Sequence, residues 1–443
     1  MLYVNDFFED NMLIKFRVEN YKSFDAEQSL SLMTGESRDH RDHVYSVKGT
    51  DILRTAVLFG ANASGKSNLV KAMIASRNLI LGYPIRREDY CRLTPENRDK
   101  PTAFEYTLEI NNRFFSYGLA VQLSTGTIME EWLYEHVQSN RVKIFHRIQN
   151  DIKTDLELGE HDRMFFNVYT AEANTNRGMP FMLIISKMPQ TSKGKLNSIH
   201  LVLNWFARSL RIIAAGSAPF NRTEKTNSFT DAAIARYGTG ITSVRYETLE
   251  PPAYAQILPS DFLYGLVAAN RQNNQESFST VRLPTGIYTI SAKANGEPVV
   301  KKMVYDHNGV QFDYGEESDG TNRLMELLPV LDTSDEKNIT YVIDELDRSL
   351  HPQLTQKFVK DFESLDPNLR RQLILTVHES RLLDLNLLRR DEIWFINKNA
   401  NGASEVYSLE EYKERKDRKV DKSYLDGRYG GIPCFKQRST TVS

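Results

Sequence analysis

At 443 residues, 40% apolar and 26% charged, the chain is long enough for two or three domains with a sizeable core. A net charge of −2 marks no global polyanion binder and leaves any nucleic-acid contact to a local basic groove. Two cysteines, Cys91 and Cys434, rule out a disulfide framework. The lack of a long apolar run or a signal-like start argues against membrane and secreted classes, so a cytoplasmic location is expected.

Residues 1–11 are acidic and aromatic without periodicity, and residues 13–18 then alternate as a half-buried strand should, which makes Met12 an alternative start of the fold. Asn20, Tyr21, Lys22, Ser23 and Phe24 read as a turn, and residues 30–33 as a second short strand. Ala56, Val57, Leu58 and Phe59 form an apolar run expected of a strand buried on both faces. Directly after it come Gly60, Ala61, Asn62, Ala63, Ser64, Gly65, Lys66 and Ser67, two glycines bracketing four residues and followed by Lys-Ser. This is the phosphate-binding P-loop pattern, and Leu69, Val70, Met73 and Ile74 continue it at helical spacing. A turn without bulky side chains lets backbone N–H groups converge on phosphate oxygens at a helix N-terminus. Lys66 is expected to reach the terminal phosphates and Ser67 to bind magnesium, with Asn68 completing the loop around ATP.

Over residues 103–148 the period changes to two. Phe104, Tyr106, Leu108 and Ile110 share a face, Asn111 and Asn112 supply a turn, and Phe115, Tyr117, Leu119 and Val121 return, with further strands expected at 128–134 and 142–148. This is an antiparallel meander. Arg141 and His146 within it match an Arg-x4-His pattern used by some ribonucleases, but they fall on an expected strand, where coincidence is the better explanation.

The middle, 151–284, reads as mainly helical. Ile199, Val202, Leu203, Phe206, Leu210 and Ile213 make one apolar stripe, ended near Gly216, and residues 221–227 form a polar, exposed stretch. Residues 288–304 return to strand alternation. Ser318, Asp319, Gly320 and Thr321 then open an amphipathic helix with Leu324, Leu327, Leu328 and Leu331 on one face; such a turn is an N-cap and also suits a phosphate.

A second buried run, 339–343, ends in Asp344 and Glu345, where an open α/β sheet places its chemistry. Asp344 suits the magnesium site and Glu345 suits polarising the attacking water. Another apolar strand, 373–377, ends at His378, which can hydrogen-bond a γ-phosphate or hold that water. The charged stretch 413–422 interleaves Glu414, Asp417 and Asp421 with its basic residues, as a solvated helix face does. No heptad run is long enough for a coiled-coil arm.

Together these segments resemble an ABC-type ATPase head of the SMC-like, RecF-like and OLD kind. Residues 60–67 match the family's Walker A, 341–345 its Walker B with a catalytic glutamate, and Leu346 and Asp347 its D-loop. Ser318, Gly320 and Thr321 stand where the ABC signature binds nucleotide, and His378 stands in place of the switch histidine. The signature lacks the Leu-Ser-Gly-Gly-Gln form of transporters, and Gln122, on an expected strand, is a poor Q-loop candidate. Asn20, Lys22 and Ser23 match a stretch that approaches nucleotide in SMC-like heads. The strings Glu-Ser-Asp-Gly-Thr and Asp-Glu-Leu-Asp-Arg-Ser-Leu-His-Pro, with the late Tyr424, Leu425, Asp426, Gly427, Arg428, Tyr429 and Gly430, resemble AAA-family ATP-binding proteins of bacterial abortive-infection systems, AbiL-type and the ATPase of the PARIS system.

The resemblance implies an α/β fold: a P-loop NTPase ABC-ATPase head with an antiparallel β-subdomain and an inserted helical lid. Its expected division is 1–150, an N-terminal lobe; 151–284, the lid; and 285–443, a C-terminal lobe. It further implies ATP and Mg2+ as ligands and a homodimer or higher homo-oligomer in which Walker A of one chain faces the signature of another. The implied function is an ATPase of anti-phage defence, triggered by DNA or a phage protein and controlling a separately encoded nuclease or toxin effector. About 65 residues follow His378, few for a nuclease domain of its own. A DNA repair ATPase and a self-contained ribonuclease are the alternatives.

Overall fold

The computed structural model describes residues 10–138, 140–188, 194–214, 227–272, 279–292, 297–333, 337–412 and 420–431. Residues 1–9 of the acidic start, 221–226 of the polar stretch, 413–419 of the charged run, and Cys434 lie outside the described residues. Two compact units form, each from separated stretches: one takes in 10–214, 337–346 and 366–431, the other 227–333 and 347–365.

The first unit is built on a six-stranded sheet of β1 (Thr55–Phe59), β2 (Leu210–Ile213), β3 (Thr340–Ile343), β4 (Gln372–Thr376), β5 (Ile393–Lys398) and β6 (Ser404–Ser408). Its order is β2-β3-β4-β1-β5-β6, with every neighbouring pair parallel except β5 and β6. All residues of β1, β3 and β4 are buried, which explains why these strands read as nearly continuous apolar runs instead of alternating ones. Helix α1 (Lys66–Ile80) follows β1 and buries Leu69, Val70, Met73 and Ile80.

The same unit carries a seven-stranded sheet whose order runs Asp151–Lys153, Asn140–Ile148, Thr127–Val137, Arg113–Gln122, Thr102–Ile110, Asn11–Glu19, Gln28–Ser31. It is antiparallel throughout. The expected meander is its centre, and Asn111 and Asn112 make the turn with φ of 53° and 59°, the left-handed pair that a tight hairpin requires. One buried amide joins the two sheets: Gln372 of β4 accepts from the Leu13 N–H at 2.6 Å and donates to the Leu13 and Leu53 carbonyls at 2.8 and 3.0 Å.

The apolar stripe from Ile199 to Ile213 is not one helix. It is α-helical over Asn197–Asn204, passes through a π-turn at Trp205–Ser209, and ends as β2, parallel to β3. Periodicity alone does not tell a short apolar strand from the last turn of a buried helix.

The second unit contains strands Ser243–Leu249, Ser279–Leu283, Gly286–Ala292, Pro298–His307 and Val310–Asp313 in one antiparallel sheet. The middle of the chain, 151–284, is mainly helical among its described residues, as expected, but it also carries the strands Ser243–Leu249 and Ser279–Leu283 among its helices. Leu258, Leu263 and Val267 pack on Tyr288, Ile290 and Val300 as a small core. Helix α2 (Asp319–Leu327) and helix α3 (Pro352–Glu363) also belong to this unit. The expected leucine-faced helix is α-helical only through Leu327, and residues Leu328–Leu331 tighten to a 3-10 turn where Pro329 removes a backbone donor. The α/β class expected from the sequence, a P-loop on a mainly parallel sheet beside an antiparallel one, is the class observed. Among the described residues, no helix is long and apolar enough to cross a membrane.

Candidate functional site

The strand order places the carboxyl ends of β1, β3 and β4 side by side, so three segments far apart in sequence converge. From β1 the chain turns through residues 60–65 into α1. Gly65 precedes the helix at φ 120°, a region unfavourable to other residues, and a Cβ there would run into the Ser404 side chain. Ala63 also has positive φ, at 63°. Ala61, Asn62 and Ala63 form the accessible crest of the loop, whereas Gly60, Ser64, Gly65 and Lys66 are buried beneath it.

Supports under the loop come from both sheets. The Ser404 hydroxyl donates to the Ser64 carbonyl at 2.6 Å and lies 2.8 Å from the Ser23 Oγ, and Asn68 Nδ2 donates to that same Ser23 Oγ at 2.8 Å. Of the turn thought to approach nucleotide, Ser23 therefore braces the loop. Lys22 pairs with Asp89 at 2.7 Å, and the Asn20 amide donates to the Asn97 carbonyl at 2.8 Å.

Lys66 is almost wholly buried. Its ammonium donates to the Gly60 and Ala61 carbonyls at 2.5 and 3.1 Å and lies 3.4 Å from His378 Nδ1. Ser67 donates to Asp344 Oδ1 at 3.1 Å, which joins the loop to the end of β3. That oxygen also accepts from the Thr376 hydroxyl at 2.6 Å, and the Thr376 Oγ1 in turn accepts from the Glu345 N–H at 2.8 Å. Glu345 sits at φ 51°, with its carboxylate 4.0 Å from His378 Nε2 and both side chains partly exposed. One cluster thus holds Lys66, Ser67, Asp344, Glu345 and His378. Its Ser67 and Asp344 oxygens, adjacent and hard, fit a magnesium ion bound together with phosphates.

Ser318, Gly320 and Thr321 belong to the second unit. Ser318 caps α2: its Oγ accepts from the Thr321 N–H at 3.1 Å and lies 2.9 Å from Thr321 Oγ1. A Cβ on Gly320 would come to 2.7 Å from the Ser349 carbonyl, so only glycine fits that approach.

The late tyrosine motif packs behind the loop. Tyr424 and Tyr429 stack on Phe395 of β5 at 5.6 and 5.3 Å, and Tyr424 meets Phe59, the residue before Gly60, edge-on at 6.3 Å. Gln122 ends its strand and accepts from the Gly126 N–H at 2.8 Å, a turn role. His146 lies on a strand as expected, held between Glu130 Oε1 at 2.7 Å and the Tyr134 hydroxyl at 3.1 Å, with the Arg141 guanidinium 3.5 Å above the Tyr134 ring.

Two participants escaped the sequence. Ser404 carries no local signal, being the first residue of an edge strand. Thr376 had one: it closes β4 two residues before His378.

Residues 244–384 match the family described as "AAA domain, putative AbiEii toxin, Type IV TA system". That stretch includes Ser318, Asp344, Glu345 and His378 but not the loop at 60–67. It supports an AAA-type ATP-binding protein. No curated protein matches the chain. Solved structures similar to it include an SMC head domain from Thermotoga maritima, at 13% identity and a TM-score of 0.34, covering 89% of this chain and 98% of that one. Another is the Smc head domain with an extended coiled coil bound to the C-terminal domain of ScpA, derived from Pyrococcus furiosus, at 12% identity and a TM-score of 0.37, covering 95% and 99%.

Proposed function

We propose that this chain binds and hydrolyses ATP with Mg2+ at the carboxyl ends of β1, β3 and β4, and that it serves as the ATPase of an anti-phage defence system. The observation that carries the reading is the Ser67–Asp344 hydrogen bond, which places a P-loop hydroxyl and a strand-end carboxylate at one point. The loop amides and the N-terminus of α1 receive phosphate oxygens, and Lys66 supplies a point charge to the terminal phosphates. Ser67 and Asp344 would hold magnesium, which would supply positive charge beside the phosphates. Glu345 orients the attacking water and accepts its proton, and His378 contacts the γ-phosphate from the neighbouring strand end.

Ser318, Gly320 and Thr321 are assigned to the phosphates held by a second copy of the chain, as the resemblance to ABC-type heads implies, so hydrolysis depends on dimerisation. The regulatory role, with a separately encoded nuclease or toxin as effector and DNA or a phage protein as trigger, rests on the abortive-infection strings in the sequence. Magnesium-dependent phosphate release from ATP is the test. Glu345→Gln is expected to keep ATP binding and lose about 100-fold or more in turnover, the usual contribution of a general base. It should also accumulate ATP-bound dimers in light scattering. Near wild-type turnover in Glu345→Gln would remove the catalytic assignment.

A further inference from the structure

The strand register brings one buried hydroxyl to the centre of the site. Ile343 of β3 pairs with Leu375 of β4, so the next step along both strands sets Asp344 beside Thr376. Thr376 is buried, and it engages three consecutive residues of the opposite strand end. Its hydroxyl donates to Asp344 Oδ1 at 2.6 Å, its Oγ1 accepts from the Glu345 N–H at 2.8 Å, and its carbonyl accepts from the Leu346 N–H at 3.0 Å.

These three bonds fall where the backbone most needs them. Glu345 has φ 51°, a conformation that persists in a non-glycine residue only when its surroundings over-determine it. The left-handed residue turns the chain out of β3 and brings the Glu345 carboxylate toward His378. Without the Thr376 hydroxyl, the Glu345 N–H loses the bond to Thr376 Oγ1, and Asp344 Oδ1 keeps the Ser67 donor alone of the two side-chain donors described above.

We infer that Thr376 is a positioning residue for hydrolysis: its single hydroxyl fixes the Asp344 carboxylate that faces Ser67 and, through the backbone, the direction of Glu345. This rests on the ATPase reading above. Thr376 touches no reacting atom; it sets the two groups that do. It also couples them, because one oxygen donates to the first and accepts from the second, so each bond polarises and strengthens the other.

Thr376→Val is nearly isosteric and removes only the hydroxyl, while Thr376→Ser keeps it. In steady-state ATP hydrolysis by the full chain, Thr376→Val is expected to lower kcat by roughly 10–100-fold, the usual cost of losing an outer partner of a metal-binding carboxylate. The KM for ATP should stay within about threefold, since the P-loop is untouched, and Thr376→Ser should restore most of the rate. Hydrogen–deuterium exchange without nucleotide gives a readout independent of activity: the peptide spanning residues 341–346 should exchange faster in Thr376→Val and as wild type in Thr376→Ser. A Thr376→Val enzyme with wild-type kcat and exchange overturns the proposal, as does a Thr376→Ser enzyme as impaired as Thr376→Val. Wild-type protein without ATP turnover overturns the hydrolytic reading and this proposal together; wild-type turnover with an unaltered Thr376→Val overturns this proposal alone.

Discussion

Helices α1 and α2 both open from glycine-bearing turns, and they satisfy their first N–H groups in different ways. Helix α2 is finished by its own side chains, with Ser318 accepting from the Thr321 N–H and Asp319 lending a negative charge to the first turn. Helix α1 has neither: Gly65 provides no side-chain cap, and no acid occupies the first turn, where a lysine stands instead. An uncapped start with Ala63 at positive φ is locally costly, and an anion placed against its N–H groups relieves that cost. The comparison separates a turn stable by its own means from a loop shaped around something it receives. It agrees with assigning the nucleotide to the loop and only an auxiliary contact to the turn.

The sharpest way to break that contrast is Lys66→Ala. Loss of the buried ammonium removes a charged hydrogen-bond donor from the loop, and ATP affinity is expected to fall by roughly 10–100-fold, in line with about 1.5–3 kcal/mol for such a bond. Titration with a fluorescent ATP analogue measures it, and unchanged affinity would mean that the loop does not hold the phosphates. A smaller effect is expected from Ser318→Ala, which should cost about 1 kcal/mol of stability through the lost cap. Thermal unfolding reads that loss, while ATP affinity measured at concentrations where the chain is monomeric should not change. If that affinity fell as far as in Lys66→Ala, the distinction between the two helix starts would collapse. The smallest effect belongs to His146→Ala, far from either start in sequence and satisfied by Glu130 and Tyr134. It should leave ATP hydrolysis unchanged, and incubation of the wild-type chain with RNA should yield no cleavage. RNA cleavage that disappears with His146 would make the chain a nuclease in its own right.

What could be read from the sequence, and what could not, divides by distance along the chain. Residues 60–67, the strand ending at Asp344 and Glu345, and the strand ending at His378 each announce themselves within about a dozen residues, because a buried parallel strand is a continuous apolar run. The meander was legible for the same reason, since its turns are local. The four residues of β2 were absorbed into the helix before them, because their strand character exists only beside β3. The sheet of the second unit was missed where Ser243–Leu249 and Ser279–Leu283 lie, two strands with few buried side chains and hence a weak alternating signal. Thr376 shows the limit most clearly. Its place two residues before His378 marks it as near the site, but its partners follow from a register between strands some thirty residues apart.

The position of β1 has a consequence in time. The strand that leads into the loop lies between β4 and β5, so both of its neighbours are made roughly 300 residues after it. At a synthesis rate of about 5–20 residues per second, its five buried residues wait on the order of 15–60 s for the strands that enclose them. The antiparallel meander, whose partners are sequential, is complete long before. The seat of the loop is therefore completed only once β4 and β5 have been made, and a polypeptide interrupted anywhere before β4 has the loop's sequence without a sheet to mount it on.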